Sequence, residues 1–175
     1  VLSEVTGLDL KQNEDLIDGT QNLDSFLFAS SILKTFAASL SKISNDLRLM
    51  SSGPQAGIGD IKLPARQAGS SIMPGKVNPV IPEVVNQVAF SVIGNDVTVA
   101  MAVEAGQLEL NAFEPVIFYK MFESLKTLKA AINTLRINCI DGITVDKAKL
   151  EKEVEENIGL VTACLLYTSD AADEG

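Results

Sequence analysis

The sequence predicts an all-α protein, a bundle of long helices with one small irregular or hairpin region at 51–77. Three observations carry that expectation. From Leu23 apolar residues alternate spacings of three and four, with Phe26, Ala29, Leu33, Phe36, Leu40, Ile43, Leu47 and Met50 in a stripe sustained over more than three heptads. Two further segments, 84–105 and 107–138, are apolar on one side over lengths that strands do not usually reach. Between the first and second, glycine and proline interrupt any periodicity.

Taken in order, residues 1–22 are mixed and acidic, with Gly7, Asn13 and Gly19, and read as a connector with a short helical pattern. Beside the apolar stripe of the first long helix lie Ser30, Ser31, Ala37, Ala38, Ser39 and Ser41, small enough to let neighbouring helices approach closely. At Ser51 the pattern stops, and Ile58, Ile61 and Leu63 are candidates for short strands. Asn78 reads as the N-cap of the next helix with Pro79 at its first position, and Pro82 falls in the first turn, where no backbone N–H has an intrahelical partner. That helix is rich in β-branched residues, so a strand remains the competing reading, and Gly106 is its expected terminator. Pro115 either kinks the following segment or marks its true start. Asp141 and Gly142 form a turn, and 146–157 is a short charged helix with Leu150 and Val154 inward.

The 175 residues suffice for one domain with a sizeable core. A net charge of −9 argues against nucleic-acid or anionic-membrane partners, which need basic surfaces. No apolar run reaches the length of a bilayer span, and no leader pattern is visible, which fits a cytoplasmic protein. Cys139 and Cys164 are too few and too far apart for a disulfide framework or metal cluster, which fits a reducing compartment; Cys139 reads as a buried small apolar residue. The chain contains no histidine, so the commonest general base and metal ligand are missing. It begins at Val1 without methionine and reads as a fragment. From Cys164 the text CLLYTSDAADEG loses helical logic and resembles a translated sequencing adapter, so the domain is expected over 1–163 and a non-native tail over 164–175.

The chemistry concentrates in Gly69 to Glu83, GSSIMPGKVNPVIPE. Lys76 brings a cation, Asn78 an amide donor, and the helix that follows points its positive end at the loop. Such a cradle suits a dicarboxylate and the extra negative charge that develops when a proton leaves carbon beside a carboxylate. Ser70 or Ser71 would serve as base only with a stabilised alkoxide. On spacing alone the bland reading leads: a surface loop whose serines and asparagine cap turns, a solvated Lys76, and Glu83 as a favourable charge on the helix dipole. Asn45, Asp46, Asn95, Asp96 and Asn111 are further polar candidates to line a site, with solvated helix faces as the first account of each.

The loop GSSIMPGKVNP resembles the GSSxMPxKxN signature of the aspartase/fumarase superfamily. QAGSSIMP, NPVIPEVVNQV, VIGND, EAGQLELN and EPVI resemble the aspartase branch, whereas Gly75 is a departure toward fumarases, aspartases commonly carrying alanine there. The resemblance covers nearly everything from Val1 through Thr162. It implies that Ser70 is the general base taking the Cβ proton of L-aspartate, that Lys76, Asn78 and Ser71 bind substrate carboxylate, and that Ser71, Ile72 and Met73, with Gly69 in support, belong to a mobile loop closing over substrate. Glu83 would hold a histidine of another subunit. Loss of ammonia from an aci-carboxylate intermediate would give fumarate, with no metal or organic cofactor. The implied fold is the central helical domain, four chains forming a twenty-helix homotetrameric core with each active site drawn from three subunits. The isolated chain, lacking the histidine and the partner loops, is expected to be inactive. The competing readings are a fumarate hydratase and a non-catalytic helical assembly module; the intact signature argues against the second.

Overall fold

The structure, a computed structural model, describes residues 1–53, 57–67 and 77–156. It contains α1 (Leu2–Thr6), α2 (Asp18–Gln21), α3 (Asp24–Met50), β1 (Ile61–Lys62), α4 (Val80–Glu104), α5 (Glu114–Asn138), a 3-10 turn (Ile140–Gly142), β2 (Thr144–Val145) and α6 (Lys147–Glu155). The all-α expectation is borne out. The β-branched segment is a helix of 25 residues, because packing along its length overrides the weak local preference of valine for strands. Pro115 marks a start rather than a kink, standing second in α5.

The chain divides into two compact units. The first comprises Val1–Ser44 and Glu83–Thr134. Here Ser30 and Lys34 of α3 meet Asp96 of α4, while Ser41 meets Asn86, so the two helices run antiparallel. Asn95 of α4 meets Ser124 of α5, and Ile117 packs with Val99 and Ala102, so this pair is antiparallel too. The core gathers Leu23, Val99, Ala102 and Ile117, flanked by Phe26 and Met121, and the Phe26 ring stands edge-on to Phe118 at 5.0 Å.

The packing of α3 corrects the sequence reading. Leu40 and Leu47 of the expected stripe are buried, but Phe36 and Ile43 are 45% and 46% exposed. The line that faces inward is Leu23, Ser30, Ala37, Ser44, spaced by sevens, together with Ser41. Small side chains win this face because they allow close helix approach, and two of its three hydroxyls find partners across the contact: Ser30 Oγ donates to Asp96 Oδ1 at 2.8 Å, and Asn86 Nδ2 donates to Ser41 Oγ at 2.8 Å, whereas the buried Ser44 Oγ has no partner among the described residues.

The polar residues of α4 and of the turn after it also depart from expectation. Asn95, Asp96 and Asn111 are buried at 6%, 4% and 3% exposure rather than solvated. A buried polar group needs a partner, and each has one. Lys34 Nζ lies 2.5 Å from Asp96 Oδ2, and Asn95 Nδ2 donates to Glu123 Oε2 and Ser124 Oγ, both at 3.1 Å. The hydrogen bond from Lys120, and then that from Asn95, holds the Glu123 carboxyl below its ordinary range. Asn111 Nδ2 donates to the Ala102 and Val103 carbonyls at the end of α4, and its Oδ1 accepts from Phe113 N–H at the start of α5. The chain passes close at Gly106, where a Cβ would stand 3.3 Å from both Asn111 Nδ2 and the Gln21 carbonyl.

Two helices, Asp24–Met50 and Val80–Glu104, match a membrane span in length and mean hydropathy, although the sequence shows no uninterrupted run of that length. Ser30, Lys34 and Asp96, bonded together, and Ser41 with Asn86 are among the letters that interrupt them.

The second unit comprises Asn45–Pro82 and Leu135–Gly175. Of the three strand candidates only Ile61 lies in a strand, and its partner comes from far along the chain: Ile61 pairs with Val145 and Lys62 with Thr144, antiparallel. The described part of 51–77 is therefore irregular rather than a hairpin. Asp60 N–H closes it onto the Met50 carbonyl at 2.9 Å, and Gly53 and Gly59 take the left-handed region at φ 61° and 63°. Asp146 caps α6, accepting from Lys149 N–H. Val154, expected inward, is 57% exposed, since this short helix has little to pack against. The adapter-like tail lies outside the described residues.

Candidate functional site

The sequence nominates Gly69, Ser70, Ser71, Met73, Lys76, Asn78 and Glu83. The first five lie outside the described residues, so the geometry of the site is that of its flanks. Downstream, α4 opens at Val80, one residue later than expected. Asn78 is thus two residues before the helix instead of capping it, because the Val80 amide turns back onto the Asn78 carbonyl at 2.8 Å. Pro82 keeps its place in the first turn and is fully buried. Glu83, half-buried, is the acid of that turn, where a carboxylate is favoured by the helix dipole.

Asn78 and the stretch Pro79–Pro82, with Leu63, Pro64, Asn138 and Cys139, line a small hollow of about 10 Å³, room for roughly one water. Ligand pockets run to about 300–1,000 Å³, so this hollow is no complete pocket. Cys139, 1% exposed, is the small apolar wall residue the sequence predicts, and burial pushes its thiol up from the ordinary range.

Upstream, the chain is fastened to the same structural unit at successive points. Lys149 of α6 donates to the Ile58 carbonyl and pairs with Asp60 at 3.4 Å and Glu153 at 3.2 Å. Burial pulls the Lys149 ammonium down, but the two carboxylates together carry it above the usual lysine range. The ladder of β1 and β2 follows. Arg66 then reaches the end of α5, where Nε donates to the Asn138 carbonyl at 3.1 Å and Nη2 to the Ile137 carbonyl at 3.4 Å. Neither Arg66 nor Lys149 is singled out by the sequence reading, and no local pattern marks their bonds to the Ile137, Asn138 and Ile58 carbonyls, each of which spans more than seventy residues.

Comparison with known proteins gives a consistent picture. A family model described as lyase matches residues 1–94. An aspartate ammonia-lyase of Pseudomonas fluorescens is 56% identical over 166 residues, which is 95% of this chain and 35% of that protein. One from Corynebacterium glutamicum is 58% identical over 161 residues, 92% of this chain and 31% of that protein. Among solved structures, a fumarate lyase:delta crystallin from Brucella melitensis in native form superimposes with a TM-score of 0.89 at 51% identity, covering 98% of this chain and 40% of that one. A class II fumarase from Schistosoma mansoni gives 0.84 at 35% identity, covering 87% and 32%. The chain therefore spans about a third of the length of the relatives it matches.

Proposed function

Because the chain belongs to the lyase family whose model matches residues 1–94, we propose that it is the central helical part of an aspartate ammonia-lyase. The reaction is the reversible elimination of ammonia from L-aspartate. Ser70, as alkoxide, takes the Cβ proton; the electron pair of that C–H bond moves into the adjacent carboxylate, giving an aci-carboxylate. That pair then forms the carbon–carbon double bond as the C–N bond breaks, its electrons leaving with ammonia, and fumarate remains. Lys76, Asn78 and Ser71 bind the substrate carboxylate, and Glu83 orients a group from a neighbouring copy. The observation that carries this reading is the identity of 56–58% to aspartate ammonia-lyases along nearly the whole chain.

The geometry supports a shared site. A chain with net charge −9 must concentrate positive potential locally to hold a dianion, and Lys76 stands in sequence just before the positive end of α4. The hollow beside Asn78 is too small to be a whole pocket, as expected of one chain's share. Assembly into a tetramer is supported by apolar side chains left outside: Phe28, Ile32 and Phe36 recur every fourth residue along α3, and Phe90, Val97 and Met101 follow at spacings of seven and four along α4. The free thiol of Cys139 fits a cytoplasmic location.

Gly75 favours a second reading, fumarate hydratase, as does the likeness to the fumarase structure. The test is to assay the full-length lyase carrying this sequence against L-aspartate and L-malate side by side. Fumarate is expected from aspartate alone; fumarate from malate alone would reassign the enzyme.

A further inference from the structure

Resting on the aspartate-lyase reading above, we propose that Arg66 is a positioning residue for that reaction. It fastens the chain, two residues before 68–76, to the helix end whose Asn138 lines the same hollow as Asn78. Two flanks converge on one place. Arg66 spans the carbonyls of Ile137 and Asn138, and Asn138 and Cys139 are walls of the hollow lined by Asn78 and Pro79–Pro82.

The chemistry of the contact suits a tether. The last four carbonyls of a helix have no intrahelical donor, and Ile137 and Asn138 close α5. A guanidinium presents several donors in a fixed fork and remains charged at any working pH, so it can meet two successive carbonyls and the negative helix end together. The tether also comes late. Lys149 and the β1–β2 ladder hold residues 58–62, and beyond Arg66 only one described residue, Gln67, precedes the loop. Releasing Arg66 therefore removes the last described side-chain anchor before residue 68 without touching any group that contacts substrate. Such a change erodes the alignment of reacting groups while leaving their chemistry intact.

The plain alternative is a helix cap that contributes stability only, and the test separates the two. In the full-length lyase, Arg66→Met is expected to lower kcat for L-aspartate roughly tenfold with KM changed by less than about twofold, since misplacement of about 1 Å costs up to about a hundredfold in rate. The melting temperature should move by less than about 3 °C, as for an exposed contact. Arg66→Lys, which keeps the charge and an N–H donor group though not the planar fork, should recover most of the loss. Amide exchange over residues 63–67 should quicken in Arg66→Met and return in Arg66→Lys. An unchanged kcat in Arg66→Met, or a loss of kcat matched by a large fall in melting temperature, would overturn the proposal. If the unsubstituted lyase does not act on aspartate, the functional reading fails by itself, and unchanged exchange at 63–67 then overturns the tether.

Discussion

Ser70→Ala in the full-length lyase should lower kcat for L-aspartate by roughly 10²–10⁴-fold, the usual contribution of a positioned base, with the oligomeric state unchanged. The size follows from the chemistry. A proton on carbon beside a carboxylate is weakly acidic, and alanine leaves nothing in place of the Ser70 hydroxyl to take it. Assembly should survive because the loop sequence is mainly polar, whereas the exposed apolar side chains available for association lie on α3, α4 and α5. Steady-state kinetics with size-exclusion chromatography decide the matter: wild-type turnover in Ser70→Ala would remove Ser70 as the base, and dissociation would make its role structural.

A different kind of loss is expected from Asp96→Ala. Asp96 is 4% exposed and accepts from both Ser30 and Lys34, while Lys34 keeps 42% of its side chain in solvent. Removing the carboxylate strands the buried Ser30 hydroxyl, draws a cation toward an apolar gap and leaves a void, for a combined cost of about 3 kcal/mol. Lys34→Met removes the exposed partner and leaves Asp96 its bond to Ser30, so it should cost less, about 1–2 kcal/mol. Urea unfolding at matched protein concentration measures both. Equal losses would show that the pair, rather than the burial of Asp96, sets the energetics.

The helices were legible because their periodicity is local: α3 ends at Met50 where the three-four spacing ends, and Pro115 announces the start of α5. Which face of α3 turns inward was not legible. Phe36 and Ile43 are apolar letters in register, yet it is Ala37 and Ser44 that are fully buried, and that preference is set by the packing of α3 on its neighbours rather than by its own letters. The burial of Asp96 likewise depends on Ser30, 66 residues away. In the loop, Ser70, Ser71 and Lys76 acquire roles through the family signature, because a hydroxyl, an amide and a cation at these spacings occur in many surface loops. Arg66 shows the opposite limit: its partners are two backbone carbonyls, which leave no trace in side-chain letters.

Asn111 has a kinetic consequence. Its contacts to Ala102 and Val103 bridge nine and eight residues, and that to Phe113 two, whereas Ser30 must find Asp96 across 66. Closing a short loop sacrifices less chain entropy than closing a long one, and local contacts speed folding. We therefore expect the α4–α5 turn to form before α3 docks, with Asn111→Ala slowing folding and Ser30→Ala mainly hastening unfolding. Chevron kinetics showing the reverse assignment would place the nucleus at α3.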